Sequence, residues 1–253
     1  MVKINQPANG GSLSESAGRD ISQRIMVREL ALLQSRFLEL IQQQPVGQFL
    51  VLTGPAAFRG VYEKQPWGPH MHFEAPAVVS AHFAELTHGL KGKLEQKHKQ
   101  FIFKGKSISS QEIHVTISIS VPRELPIPCE MGLFYGRRDK PVPVRVAPLQ
   151  GLLTSLLDRL YRNPNPSDML DLWLFCASNS KAQSTVLSAI ASRPEHSNDI
   201  KALSVVQLRH LKSQWHLENV GLPCTLPPFL QVYKDLKVIF TPPHDSNESG
   251  GEK

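Results

Sequence analysis

The sequence predicts an α+β protein, a mixed or antiparallel sheet with several packed helices and flexible N- and C-terminal tails. Three observations carry that prediction. Residues 113 to 121 alternate strictly, with Ile113, Val115, Ile117, Ile119 and Val121 on one side and His114, Thr116, Ser118 and Ser120 on the other, the pattern of a half-buried strand. Elsewhere apolar residues recur at three-to-four spacing, as in Met26, Leu30, Leu33, Phe37 and Ile41, and again in Leu149, Leu152, Leu153, Leu156, Leu157 and Leu160. The two kinds of signal are intermixed, with no repeating βαβ unit and no period of about 20–50 residues, which removes solenoids and propellers.

Taken in order, residues 1–19 are polar and Gly/Ser-rich and form the first tail. Asp20 can cap a helix, with Gln23 placed for a capping box, and Pro45 ends it. Phe49 to Thr53 is a short apolar run stopped by Gly54-Pro55, and Gly60 to Glu63 and Met71 to Phe73 are further short strands. Val79, Phe83, Leu86, Leu90 and Leu94 share one face of a second helix whose C-terminal part is lysine-rich, a placement that suits the helix dipole. Pro122, Pro126 and Pro128 make the stretch after the clearest strand irregular, and Met131 to Tyr135 and Val142 to Val146 come next as weaker strands.

Pro148 opens a third helix, and Asn163-Pro164-Asn165-Pro166 ends it. Leu170 to Ala177 reads as a buried strand, Lys181 to Ala191 as a short helix, Lys201 to Leu217 as either, and Tyr233 to Phe240 as a last strand. Residues 241–253 form the second tail. The organisation expected is one compact domain over residues 20–240, with residue 110 the place where it would divide.

Composition narrows the class. Of 253 residues 41% are hydrophobic and 20% charged, enough for a real core, and 28 Lys and Arg against 22 Asp and Glu leave a net charge of +6. No run reaches the roughly 18 apolar residues of a membrane span, and the N-terminus lacks a signal peptide's apolar stretch. The expectation is a cytoplasmic or nuclear protein, not secreted, with peripheral contact to a membrane at most. Cys129, Cys176 and Cys224 stand far apart, so neither a disulfide framework nor a zinc knuckle is indicated, and no cofactor is expected.

Catalytic signals are few. In Pro69-His70-Met71-His72-Phe73-Glu74, strand alternation puts His70, His72 and Glu74 on one face, the donor types of a two-histidine, one-carboxylate metal site. Three ligands within five residues of one strand seldom reach one ion, so this stands as an alternative and no metal is expected. His114-Val115-Thr116 resembles half of the two-histidine phosphoesterase signature, which needs two copies, and both residues are read as the solvent face of a strand. There is no GxSxG elbow, GxxxxGK[ST] phosphate loop or GxGxxG turn, and Thr53-Gly54-Pro55 ends in a residue without the N–H such loops use. Cys176 lies in an apolar run and reads as a core thiol.

The basic features are denser. Lys91, Lys93, Lys97, Lys99, Lys104 and Lys106 face one acid, Glu95, so this segment carries +5. Lysines suit phosphates or anionic headgroups, Phe101 and Phe103 could stack on bases or insert at a lipid interface, and Arg137, Arg138 and Lys140 form a second group that the fold could join to the first. The reading is a non-enzymatic, basic structural or adaptor protein that holds a nucleic acid or ribonucleoprotein, or an anionic membrane surface, and can self-associate. The alternatives are a metal-dependent enzyme built on the His-x-His-x-Glu strand, or a plain protein-interaction module using an apolar helix face around Phe37 or Leu160.

One stretch adds a family. Val146-Ala147-Pro148-Leu149 through Asp158-Arg159-Leu160-Tyr161, then a polar loop and Leu172-Trp173-Leu174-Phe175-Cys176-Ala177-Ser178-Asn179-Ser180-Lys181-Ala182, resembles part of the rhabdovirus matrix proteins. There a strand, a helix ending in an aromatic-rich turn, and an apolar run followed by small polar residues and lysine come in similar order. The resemblance implies a small, basic, non-enzymatic viral protein that condenses the ribonucleoprotein and binds the inner face of membranes.

Overall fold

The computed structural model describes residues 13–90, 93–108, 110–122, 126–137, 139–178, 180–191, 205–218 and 226–239. Helix α1 (Leu13–Gln42) begins seven residues before the expected cap at Asp20, and its 30 residues give it a length of about 45 Å. A 3-10 turn (Pro45–Phe49) leads into β1 (Val51–Thr53), α2 (Gly54–Ala57) and a π-helical turn (Phe58–Tyr62). The chain continues through β2 (His70–Glu74), α3 (Ala77–Ala81), α4 (Phe83–Leu86) and a 3-10 turn (His88–Leu90). Strands β3 (Leu94–Lys97), β4 (Gln100–Lys106), β5 (Glu112–Ser120), β6 (Glu130–Phe134) and β7 (Val142–Val146) complete one sheet. The remaining helices are α5 (Leu149–Arg162), α6 (Pro166–Ser178), α7 (Ser180–Ala191), α8 (Val205–Glu218) and α9 (Phe229–Ile239).

The sheet order is β3-β4-β5-β2-β1-β7-β6, with β2 parallel to β5, β1 parallel to β7 and the other neighbours antiparallel. The fold is therefore α+β with a mixed sheet, as expected. One face of the sheet is apolar: Met71, Phe73, Phe101, Phe103, Val115 and Ile117 are all buried. Helix α1 covers this face, with the Phe37 ring 6.0 Å from Phe73 and 5.3 Å from Phe103. The helices from α5 onward form a second packed body, tied to the sheet through α2 and the π turn. Phe37 and Leu160, the expected centres of a docking face, are both core residues.

Several elements differ from the expectation, each for a legible reason. Gly60 to Glu63 is not a strand: the π turn buries Phe58, Arg59 and Val61, and Gly60 lets the Phe134 ring press against the backbone where any Cβ would collide. The second helix breaks into short turns, and its expected lysine-rich end is the β3–β4 hairpin. Phe101 and Phe103 point inward at period two and pair with Ile117 and Val115, so the sheet claims them and neither ring is free to stack on a base or enter a lipid interface. Leu170 to Ala177 is helical because α6 is enclosed by α5, α7, α8 and α9 and is apolar almost all round, a pattern that periodicity alone does not separate from a buried strand. Phe229, Val232 and Leu236 are the buried face of α9, three and four apart, where a strand was expected. Residues 205 to 218 resolve as helix, with Leu211 and Trp215 one turn apart and fully buried. The expected tail at 241–253 lies outside the described residues, as do residues 1–12 of the other.

A cleft between the sheet and helices α5 and α6

The open face of β2 carries the chemistry. Strand alternation turns Met71 and Phe73 into the core and leaves His70, His72 and Glu74 on the other side. Register on the parallel neighbour β5 sets Thr116 beside His70, Ser118 beside His72 and Ser120 beside Glu74. On the antiparallel side Thr53 lies across from His72, and its hydroxyl donates to the His72 carbonyl at 3.4 Å. The chain turns at once into α2 through Gly54, at φ +65°, with the His72 ring 3.5 Å from where a Cβ on that residue would sit.

The opposite wall comes from the end of β7 and the helices α5 and α6. Pro148 sets the entry into α5 without a side-chain cap, and space beside Gly151 in the first turn is open. An uncapped helix start leaves backbone N–H groups and the positive end of the helix dipole facing outward, a suitable setting for an anion. Further along α5, Arg159 is held by Asp168 of α6: Nη2 donates to Oδ1 at 2.8 Å, and Nε donates to Oδ2 at 3.1 Å and Oδ1 at 3.2 Å. The Arg159 side chain is 39% exposed and that of Asp168 only 9%, so the acid lies beneath the base, and Nη1 is left clear of the pair. Between these walls is a cleft of about 640 Å³, lined among others by Thr53, His72, Glu74, Ser120, Gly151 and Arg159.

Electrostatics fix the state of the imidazoles. Burial lowers the His72 pKa below the usual histidine range, and the charges of His70 and then Arg159 push it the same way. His70 is lowered by burial and then by His114 and Arg59. Both rings are therefore neutral at pH 7 and offer a lone pair. Deeper in, Arg59 donates to Asp171 from Nε at 2.6 Å and Nη2 at 2.8 Å, and its guanidinium carbon lies 3.3 Å from the centroid of the Trp67 ring. Burial pushes the Asp171 carboxyl up to about 6 against the pull of Arg59. Burial, with the charge of Glu63 added, pushes the Cys176 thiol up to about 12, so it is the inert core thiol the sequence indicated.

Among the described residues, the predicted basic groups do not join into one surface. Lys97 and Lys99 stand on the β3–β4 hairpin with Lys104 and Lys106, and Lys93 just precedes it; Lys91 and Arg138 lie outside the described residues. Lys104 is paired with Glu95 at 2.8 Å and with Glu112 at 3.6 Å, and Lys140 with Glu39 at 3.8 Å. The hairpin is at one edge of the sheet and the β6–β7 turn, with Arg137 and Lys140, at the other. Arg137 instead lines a separate groove of about 710 Å³ beside α1, with Arg28 and Lys64. Of the predicted metal donors, His72 and Glu74 both line the cleft, but among the described residues no group of three or more His, Cys, Asp or Glu is placed to hold a metal ion. Arg159 and Asp168 carry no signal in the sequence that marks them as a pair.

No protein-family model matches the chain, and no curated protein matches it in sequence. Solved structures do match. The chain superposes on MenT4, a nucleotidyltransferase toxin from Mycobacterium tuberculosis H37Rv, with a TM-score of 0.54 and 16% identity, over 91% of this chain and 98% of that one. The two chains share a fold. JHP933 from Helicobacter pylori matches more loosely, with a TM-score of 0.44 and 15% identity, over 90% of this chain and 92% of that one.

This likeness overturns the resemblance to rhabdovirus matrix proteins, and with it the viral, structural and non-enzymatic readings. Residues 146 to 183 belong to the end of β7, α5, α6 and the start of α7, inside a fold shared with a nucleotidyltransferase, and their apolar run is a helix. The enzyme alternative suits this fold better than the adaptor did. Among the described residues no helix is long and apolar enough to cross a membrane.

Proposed function

We propose that the chain is a nucleotidyl-transferring enzyme, with a nucleoside triphosphate bound in the cleft between β2 and α5. The observation that carries this reading is that a neutral imidazole and an arginine held from behind line one cleft, at the open first turn of a helix, on a fold of this kind. A ligand of nucleotide or nucleic-acid character takes the place of the ribonucleoprotein and membrane partners expected from charge alone.

The chemistry is set by the groups present. An acceptor hydroxyl gives its proton to the free ring nitrogen of His72 as its oxygen attacks the α-phosphorus. The new P–O bond forms as the α–β bridging bond breaks, the nucleotidyl group stays on the acceptor, and pyrophosphate departs with the bridging oxygen. Negative charge gathering on the departing phosphates is met by Arg159 and the first-turn amides of α5, donors fixed before the reaction begins. Asp168 acts through Arg159 as a positioning residue.

The test is transfer from nucleoside triphosphates labelled at the α-phosphate to total cellular RNA and protein, with binding of the four triphosphates measured alongside. His72→Ala is expected to lower transfer by about 10²-fold or more while binding changes little. A folded wild-type chain that neither binds nor transfers any of the four would overturn the reading.

A further inference from the structure

We infer that the groove beside α1 is a second anion site, shaped for a ligand that carries two or more phosphate groups. It stands apart from the cleft and does not depend on the nucleotide reading. The β6–β7 turn forms one wall of the groove, and β7 then runs from that turn to Ala147 and Pro148 in the cleft. The five residues of β7 alone span about 16 Å.

Three separate elements bring cations together in the groove. Arg24 and Arg28 lie one turn apart on α1, Lys64 stands on the loop that leaves the π turn, and Arg137 comes from the β6–β7 turn. Among the described residues the lining has one carboxylate, Asp139, so it carries a surplus of three positive charges. Position 138, between Arg137 and Asp139, is an arginine and does not subtract from that surplus.

The backbone is arranged to hold this set. Gly136 lies so close to the Ala31 carbonyl and the Ser35 hydroxyl that a Cβ there would collide with both, so glycine lets the turn settle onto α1 and brings Arg137 beside the helix. Lys64 has φ +58°, a left-handed conformation that glycine or asparagine enters at less cost. The loop is pinned in place, since the Glu63 N–H donates to the Phe58 carbonyl at 3.0 Å and the Gln65 N–H to the Arg59 carbonyl at 2.8 Å. Lys64 Nζ lies 5.1 Å from the centroid of the Tyr135 ring, and that ring also lines the groove.

Charge and surroundings select the ligand. Arg137 Nη2 donates to Asp139 at 3.3 Å, but the acid is 75% exposed, and an exposed pair of this kind is weak enough for a phosphate to displace. Guanidinium groups take phosphate oxygens two at a time, with a geometry that an ammonium lacks. Val27, Ala31 and Pro66 supply apolar lining between the cations, which strengthens each ionic contact made above it. A ligand with one carboxylate would leave most of the surplus unmatched, whereas linked phosphates match it.

The experiment is isothermal titration of the full chain with inorganic tripolyphosphate, with a short single-stranded oligouridylate lacking a terminal phosphate, and with a tetraglutamate peptide. Two variants lose equal charge: Arg28→Gln, Lys64→Gln and Arg137→Gln together in the groove, and Lys97→Gln, Lys99→Gln and Lys106→Gln together on the hairpin at the other edge of the sheet. The expected result is that wild type and the hairpin variant bind one more equivalent of a phosphate probe than the groove variant does, or bind it at least tenfold more tightly. Tighter binding of tripolyphosphate identifies a free polyphosphate as the source of the phosphates, and tighter binding of the oligouridylate identifies a phosphodiester backbone. In the second case the groove variant should lower the log-log salt slope by about 2, three phosphate contacts at roughly 0.7 each. Equal binding by the two variants, or tetraglutamate bound as tightly as the phosphate probes, would overturn the inference. Circular dichroism checks that each variant is folded, and if the triple groove variant is not, Arg28→Gln with Arg137→Gln makes the same comparison. Nucleotide transfer enters none of these readouts, so its absence would leave the groove site standing.

Discussion

Asp171 grips the guanidinium of Arg59 at 2.6 and 2.8 Å while the ring of Trp67 lies 3.3 Å from the guanidinium carbon. Arg59 belongs to the turn that succeeds β1 and α2, and Asp171 to α6, so one ion pair fastens the helical body to the sheet beneath the cleft. Both side chains are almost completely buried. Removing the acid alone strands a charge in the interior, which costs more than the pair itself contributes. Asp171→Ala is expected to lower the unfolding free energy by roughly 3–5 kcal/mol. The double replacement Arg59→Met with Asp171→Leu should lose less than the single one. Urea unfolding read by tryptophan fluorescence measures both, and a single variant no weaker than the double would contradict the account.

His72 makes the pH dependence predictable in sign. Its folded pKa is depressed, first by burial, so the native state binds fewer protons than the unfolded chain when pH falls below about 6.5. Its contribution to stability is present above the ordinary histidine pKa and is lost as pH falls through that value towards the folded one, and His70 acts in the same sense. Transfer should be level around neutrality and fall on the acid side as the ring takes up a proton. His72→Gln should remove that acid limb along with most of the rate, whereas a limb that persists unchanged in the variant would assign it to another group.

Much of the fold was legible because period and burial agree. The alternation at 113 to 121, the face of α5 and the His-x-His-x-Glu face of β2 are properties of short stretches; the structure keeps the last two, and it keeps the first except that Thr116, expected on the solvent face, is buried and Val121, expected on the core face, is exposed beyond the end of β5. What was not legible depends on neighbours. Leu170 to Ala177 is apolar except at Asp171, and only enclosure by other helices decides that it coils. The lysines from Lys93 to Lys106 look like one charged face, yet the inward demand of Phe101 and Phe103 folds them into a hairpin, where Lys104 finds Glu95 and Glu112. Half of the cleft could be read, since His72 and Glu74 share a strand. Arg159 and Asp168 meet only after Asn163-Pro164-Asn165-Pro166 has turned the chain between two helices, and no local pattern marks that pairing.

Gly54 is the hinge between β1 and the cleft. Its φ of +65° is easy for glycine and strained for alanine, whereas the space where a Cβ would sit holds the His72 ring at an ordinary 3.5 Å. The cost of Gly54→Ala should therefore come from the backbone and be about 1 kcal/mol, with Gly54→Asn less costly because asparagine enters the left-handed region more readily. Thermal unfolding of the two variants separates backbone strain from collision. Equal losses, or a larger one for asparagine, would mean that contact with His72 dominates.

Arg159 and Asp168 divide binding from positioning. Asp168 occupies Nε and Nη2 and thereby fixes which edge of the guanidinium is presented to the cleft. Arg159→Lys retains a charge but cannot make the fork, so it should both lose its hold on Asp168 and meet phosphates as a mobile point charge, weakening nucleotide affinity by about tenfold. Asp168→Asn keeps the arginine charge and one acceptor, so affinity should fall only a few-fold, while kcat falls further because the guanidinium no longer waits in one place. Asp168→Glu, which restores a carboxylate on a longer arm, should recover part of that kcat. Titration gives the affinities and steady-state transfer gives the split between KM and kcat. If Asp168→Asn changes KM and kcat by no more than a remote surface variant does, the acid serves only to pack α6 against α5, and the orientation of Arg159 has another source.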